Sequence, residues 1–190
     1  MINYKRIDSI VDVYLINVAV YLKQNFLINL YFFMLIKINH KGYYLLFLVL
    51  VLLDQFTKQI FMSSFDLGQS IIVNSYLSWT YLQNTGAAFS ILADGGFIQK
   101  NFLLSVSSLV SIWIVFWIQK TQDTNLQKLL GQFLLLSGAV GNLIDRAQYG
   151  FVIDFIDVHV NGFYWPVFNL ADSFIFLGVI FILFDRKSSA

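Results

Sequence analysis

GYYLLFLVLVLLDQFTKQIF, residues 42–61, decides the fold class. It is uncharged from Gly42 to Leu53 and has the roughly 20 residues that a helix rising 1.5 Å per residue needs to cross a bilayer core. Three more stretches approach that length: NFLLSVSSLVSIWIVFWI (101–118), LLGQFLLLSGAVGNLI (129–144) and VFNLADSFIFLGVIFILF (167–184). Composition agrees. The chain has 190 residues with 12 Lys+Arg and 11 Asp+Glu, so 12% are charged, about half the usual share for a soluble protein. A water-facing surface cannot be assembled from so few polar side chains, and a soluble globular domain is excluded.

The cations orient the spans. Lys37 and Lys41 precede the first, Lys120 and Lys128 separate the second from the third, and Arg186 and Lys187 follow the fourth. By the positive-inside rule these sides are cytoplasmic, and so are both termini. No Lys or Arg occurs from Gln59 to Gln99, and only Arg146 lies between spans three and four. The outer segment IIVNSYLSWTYLQN (71–84) reads as one or two short strands. GFVIDFIDVHVNGFYWP (150–166) alternates in the same way before the only proline. The expected architecture is therefore a membrane all-α fold, with four transmembrane helices over residues 37–187 and a small extracytoplasmic sheet. Residues 1–36 are apolar but interrupted by Asp12, Lys23, Gln24 and Asn29. They form an N-terminal extension, either an interfacial helix or a dispensable stretch upstream of a start at Met34. No small-residue cleavage site marks them as a secretory signal.

The chemistry available is narrow. With no Cys and two His, thiol nucleophiles, disulfides and Cys/His metal sites drop out, and neither metal nor cofactor is expected. A formal charge of +1 supplies no basic stripe for nucleic acid. What remains is a set of acids at membrane depth, where each carboxylate costs on the order of 3 kcal/mol and calls for a reason. The topology brings Asp54, Asp145 and Asp172 to the outer leaflet, with Asp154 and Asp157 at the same level.

Bland explanations exist for several of them. Asp54 and Lys58 form an i,i+4 pair. Asp145 and Arg146 can cap a helix end. Asp157 suits a solvated strand position, and His159 is a lone histidine in a strand-like loop. Asp172 can be a first-turn acid favoured by the helix dipole, yet it precedes an apolar run where an unpaired charge is expensive. GxSxG is absent, and no Ser is marked out for a dyad with Lys58. Two aspartates sharing one proton need no other residue type, so the inventory favours an aspartyl pair containing Asp172, with Asp154 and Asp157 both open as its partner. A proton-coupled transporter or channel subunit, with acids strung along a path, is the alternative. A scaffold whose acids only pair Lys58 and Arg146 is a third reading.

Five blocks in order, LLDQFTK (52–58), QNTGAAFSIL (83–92), SGAVGNLIDR (137–146), FVIDFID (151–157) and FNLADSFI (168–175), resemble the signatures of the bacterial lipoprotein signal peptidase (signal peptidase II) family. The resemblance covers roughly Met34 to Phe184. It implies a four-helix intramembrane aspartic endopeptidase with a β-cradle, in the bacterial inner membrane with its active site at the extracytoplasmic face. Its substrate would be a diacylglyceryl-modified prolipoprotein, cut just before the lipidated cysteine, and its other partner membrane lipid. Matched by block, the resemblance places the catalytic pair on Asp154 and Asp172. Supporting positions fall on Asp54, Lys58, Asn84, Gly86, Asn142, Asp145, Arg146, Asn169 and Ala171. From spacing, Asn142 and Arg146 share a helix face suited to holding substrate backbone, Gly86 leaves room for another chain, and Asn169 can orient Asp172. Ser137 stands where the family usually has glycine, a small residue that still permits close helix packing.

Overall fold

The computed structural model describes residues 40–86, 96–122, 125–160 and 162–185. The N-terminal extension, the start at Met34, the flanking cations Lys37, Arg186 and Lys187, and Ala87 and Ala88 lie outside these residues. Eight elements follow in order: α1 (His40–Ser64), β1 (Ser70–Asn74), β2 (Leu77–Asn84), α2 (Gly96–Gln119), α3 (Leu126–Gln148), β3 (Val152–Val160), β4 (Phe163–Tyr164) and α4 (Leu170–Leu183).

Among the described residues, two helices are long and apolar enough to cross a membrane, Gly42–Ser64 and Ile98–Gln119. Each presents an exposed apolar stripe at helical spacing: Leu45, Leu48, Leu52 and Phe56 on α1, and Ile98, Phe102, Leu109, Trp113 and Phe116 on α2. In α2 the hydroxyls of Ser105, Ser107, Ser108 and Ser111 each donate to the carbonyl four residues back, at 2.7 to 2.8 Å. Polar groups satisfied within their own helix can face hydrocarbon.

The third helix, α3, packs against α1, α2 and α4. Its contact with α4 is close because small residues face each other. A Cβ added at Gly131 would lie 2.9 Å from the Gly178 carbonyl, and one at Gly178 would lie 2.7 Å from the Gly131 carbonyl. Helix α4 has 14 residues, about 21 Å at 1.5 Å each. It begins at Leu170 because Asn169 is extended (φ −132°, ψ −176°) and caps it. The preceding residue, Phe168, belongs to the sheet: its N–H and C=O pair with Ile156 at 3.0 and 2.7 Å.

The strands form one antiparallel order, β1-β2-β3-β4. Between Trp79 and Leu82 the register slips, so Thr80 and Tyr81 stand opposite Phe155 alone, a bulge of the kind that re-aims side chains beside functional sites. Ile153 and Phe155 join Tyr81 in a hydrophobic cluster with Phe61 and Trp79. Phe155 stacks on Phe61, ring centroids 4.3 Å apart, which fastens the sheet to the end of α1. Strand side chains alternate, so Asp154, between those two core residues, faces the opposite side.

Candidate active site

Two devices bring Asp154 and Asp172 together. The Phe168 to Ile156 pairing sets the start of α4 beside β3, and Asn169 closes the gap. As the α4 cap, Asn169 accepts the Asp172 N–H on Oδ1 at 2.9 Å, while its backbone N–H donates to Asp172 Oδ2 at 3.3 Å. This reciprocal capping box satisfies the first-turn amide and fixes the Asp172 rotamer. Because Asn169 Oδ1 is committed to a backbone donor, its amide nitrogen must face the other way. It donates to Asp154 Oδ1 at 2.7 Å.

A second route joins the acids through α3. Asn142 Nδ2 donates to Asp172 Oδ1 at 2.8 Å, and Asn142 Oδ1 accepts from Asn169 Nδ2 at 3.2 Å and from Lys58 Nζ at 3.0 Å. On the sheet side, Asn84 Nδ2 donates to Asp154 Oδ2 at 2.9 Å, and the Gly86 N–H holds Asn84 Oδ1 at 2.9 Å. Burial pushes the Asp154 carboxyl up to about 6; the Asn84 hydrogen bond opposes this, and the Asp172 charge adds to it. Asp154 thus keeps its proton to a higher pH than an ordinary carboxyl.

Beneath the pair lies a buried ion cluster. Lys58 Nζ is 2.9 Å from Asp54 Oδ2 and 2.9 Å from Asp145 Oδ2. Both acids also fix backbone: Asp54 Oδ1 accepts the Ala171 N–H at 2.9 Å. Asp145 accepts the Ile153 N–H at 3.1 Å and Gln55 Nε2 at 2.9 Å. Asp54 therefore holds the residue before Asp172, and Asp145 the residue before Asp154.

The sequence-derived positions sort as follows. Asp54, Lys58, Asn84, Asn142, Asp145, Asn169 and Ala171 form one connected network with Asp154 and Asp172. Gly86 has φ +80°, and a Cβ there would meet Leu103 at 2.5 Å, so the room expected beside it is filled by the chain's own α2. The Asn142 side chain is bonded to Lys58, Asn169 and Asp172. Asp145 pairs with Lys58 rather than capping with Arg146. The Arg146 guanidinium is half-buried, reaches the Asn142 carbonyl at 3.4 Å, and lies in the field of Asp172, Asp145 and Asp154. Asp157, expected in solvent, is half-buried and accepts Thr80 Oγ1 at 2.8 Å. His159 stacks on Tyr164, 4.0 Å from Asp157.

Sequence reasoning missed Gln55 and Gly141. Gln55 Nε2 touches Asp54, Asp145 and the Gly141 carbonyl, and a Cβ at Gly141 would lie 2.5 Å from Asp54 Oδ2. An uncharged polar residue beside Asp54 and a second glycine in SGAVG were the available signals. Asp172 also borders an apolar cavity of about 610 Å³, walled by Val158, Phe163, Trp165, Phe168 and Phe176 among others.

Residues 46–186 match the family model described as signal peptidase (SPase) II. A lipoprotein signal peptidase of Shewanella amazonensis is 40% identical over 144 residues, covering 75% of this chain and 85% of the relative. One from Acinetobacter baumannii is 43% identical over 135 residues, 71% and 77% of the two chains. Among solved structures, a bacterial membrane enzyme determined by the in meso method at 1.9 Å superposes with a TM-score of 0.71 at 32% identity. It covers 80% of this chain and 96% of that one. A second, at 2.3 Å, gives 0.67 at 31% identity.

Proposed function

Because the chain belongs to the signal peptidase II family, it is a membrane protease that removes the signal peptide from prolipoproteins, and we propose that Asp154 and Asp172 are the pair that does so. The observation that carries this is the Asn169 bridge, which donates to Asp154 at 2.7 Å and caps Asp172 at 2.9 Å. Two carboxyls held by the same asparagines, with the Asp172 charge acting on Asp154, share one proton, since both ionising would place like charges together in a buried site. The ionised member takes a proton from water as its oxygen attacks the scissile carbonyl, and the neutral member passes its proton to the carbonyl oxygen. The resulting gem-diol collapses: its C–N bond breaks, the amine nitrogen leaves with the proton the water gave up, and a diol proton returns to the pair. Both transfers use carboxyls alone, so no metal or cofactor enters.

Four spans are the arrangement this chemistry favours. Polar residues of α3, among them Gln132, Ser137, Asn142 and Asp145, are buried, so a helix surrounded by protein carries them without meeting lipid. Helix α4 is short because Asn169 caps it at the depth of the pair. In the reading that follows, both termini are cytoplasmic and the pair faces outward in the bacterial inner membrane. The apolar cavity beside Asp172 takes up apolar parts of a diacylglyceryl-modified substrate cut before its lipidated cysteine. The transport and scaffold readings explain neither the bridge nor the family.

Asp154→Asn and Asp172→Asn, made separately in protein that still inserts, abolish cleavage of a lipid-modified prolipoprotein. Substantial turnover by either variant removes that aspartate from the pair.

A further inference from the structure

Lys58 is 1% exposed and takes no part in the proton transfers above. An ammonium has three N–H donors, and here three acceptors take them: Asp54 and Asp145 at 2.9 Å, and the neutral Asn142 Oδ1 at 3.0 Å. The first two bonds balance charge. The third does not, and it points towards the reacting pair. Drawing electron density from an amide oxygen strengthens the same amide as a donor, and the Asn142 N–H so strengthened ends on Asp172 Oδ1 at 2.8 Å.

The two acids are therefore supported unequally. Asp172 receives an amide tied to a buried cation, the Asn169 backbone N–H, and the positive end of α4, where it is a first-turn acid. Asp154, on a strand, receives two amides whose own oxygens accept backbone N–H groups: Asn84 from Gly86, and Asn169 from Asp172. Lys58's charge also reaches Asp154 through space, as the last and smallest of the influences on that carboxyl, whereas Asp172 receives it through a hydrogen-bonded amide. The other charges facing the pair are Arg146, which interacts with both acids, and Asp54 and Asp145, each paired with Lys58.

We infer that Lys58 is a positioning residue which, through the Asn142 amide, keeps Asp172 as the ionised member and leaves the shared proton on Asp154. Asp172 is then the base that takes the proton from water, and Asp154 the acid that protonates the carbonyl oxygen. This assignment rests on the paired-aspartate reading and adds the direction of proton flow. Lys58 to alanine is a poor test, because it strands two buried carboxylates and unfolding follows. Two other variants cut the relay at different points. Asn142→Leu leaves the ion cluster whole. Lys58→Met with Asp145→Asn removes one charge of each sign, so the net charge of the cluster is kept.

The readout is the infrared carbonyl band of a protonated carboxylic acid, recorded in lipid nanodiscs without substrate on the acid side of Asp154's titration. In the parent protein that band disappears with Asp154→Asn and survives Asp172→Asn. In both relay variants the band ceases to belong to Asp154 alone, so Asp154→Asn no longer removes it. Their kcat falls roughly 100-fold while KM changes less than about threefold. A merely structural role lowers folded yield and leaves the band on Asp154. That outcome overturns the inference, as does a parent band that belongs to Asp172, a measurement that needs no relay variant to fold. Failure of the paired-aspartate reading is separate: it shows as cleavage by Asp154→Asn or Asp172→Asn, whatever the spectrum.

Discussion

The side-chain amide of Asn169 stands 2.7 Å from Asp154 Oδ1, and the same side chain caps the helix that carries Asp172. One residue thus does two jobs of very different size. As a helix cap its replacement by alanine costs about 1 kcal/mol. As the bridge it sets the spacing of the two proposed catalytic groups, where a misplacement of about 1 Å costs on the order of 100-fold in rate. Asn169→Ala is therefore expected to lower the apparent melting temperature in detergent slightly and to cut the cleavage rate at least 100-fold. A loss of rate no larger than the loss of folded protein shows that the bridge is only a cap.

The pH response follows from Asp154. Burial first, and then the Asp172 charge, raise its carboxyl from an ordinary 3.8 to about 6. Between those values the folded chain holds a proton that the unfolded chain has released, so Asp154's contribution to stability falls as pH rises through that window. On the proposed mechanism activity needs one proton on the pair, so the alkaline limb of kcat/KM is set by its loss, as a property of the coupled pair. The Asn84 hydrogen bond favours the carboxylate. Asn84→Ala removes it and moves the alkaline limb to higher pH by up to about one unit. A pH-rate profile in the two proteins measures this; a shift to lower pH contradicts the sign.

Gly141 faces α1 at the ion cluster, where an added Cβ would sit 2.5 Å from Asp54 Oδ2 and 3.2 Å from the Ala171 Cβ. Neither neighbour can give way, since Asp54 is held by Lys58 and by the Ala171 N–H. Gly141→Ala is expected to destabilise by about 1–3 kcal/mol and to lose activity through displacement of Ala171 and Asp172. Gly68→Ala is the comparison: no neighbour lies within 4 Å, but φ is +82°, so it strains the backbone while leaving cleavage unchanged. Thermal unfolding and cleavage of the two variants separate crowding at the cluster from backbone strain.

What the sequence showed and what it hid divide along physical lines. A lipid solvent demands long uninterrupted apolar runs, so α1 and α2 were legible from residues 42–61 and 101–118. Asp172 stood out because an acid ahead of such a run is costly. The choice between Asp154 and Asp157 was not legible from the residues, although three positions apart on a strand they face opposite sides. Which side meets α4 is set by the Phe168 to Ile156 pairing and the Thr80–Tyr81 bulge, neither of which has a local signature. Likewise the partner of Asp145 is Lys58, a residue 87 positions away, and only helix packing reveals it. The partners of Asn142 were hidden for the same reason, since all three come from α1 and from the start of α4.

Ser137 tests how much of the motif block is packing alone. Its side chain is fully buried, and its hydroxyl donates to the Phe133 carbonyl of its own helix at 2.7 Å. Such a bond satisfies the hydroxyl without reaching the pair, and a helix carbonyl that already serves the ladder gains little from it. Replacing Ser137 with glycine removes one small side chain and adds backbone freedom that costs about 0.5 kcal/mol relative to serine inside a helix. The expected result is cleavage within about twofold of the parent and a slightly lower melting temperature. A tenfold change in rate places Ser137 in contact with the chemistry through some route other than the α3 and α4 seam.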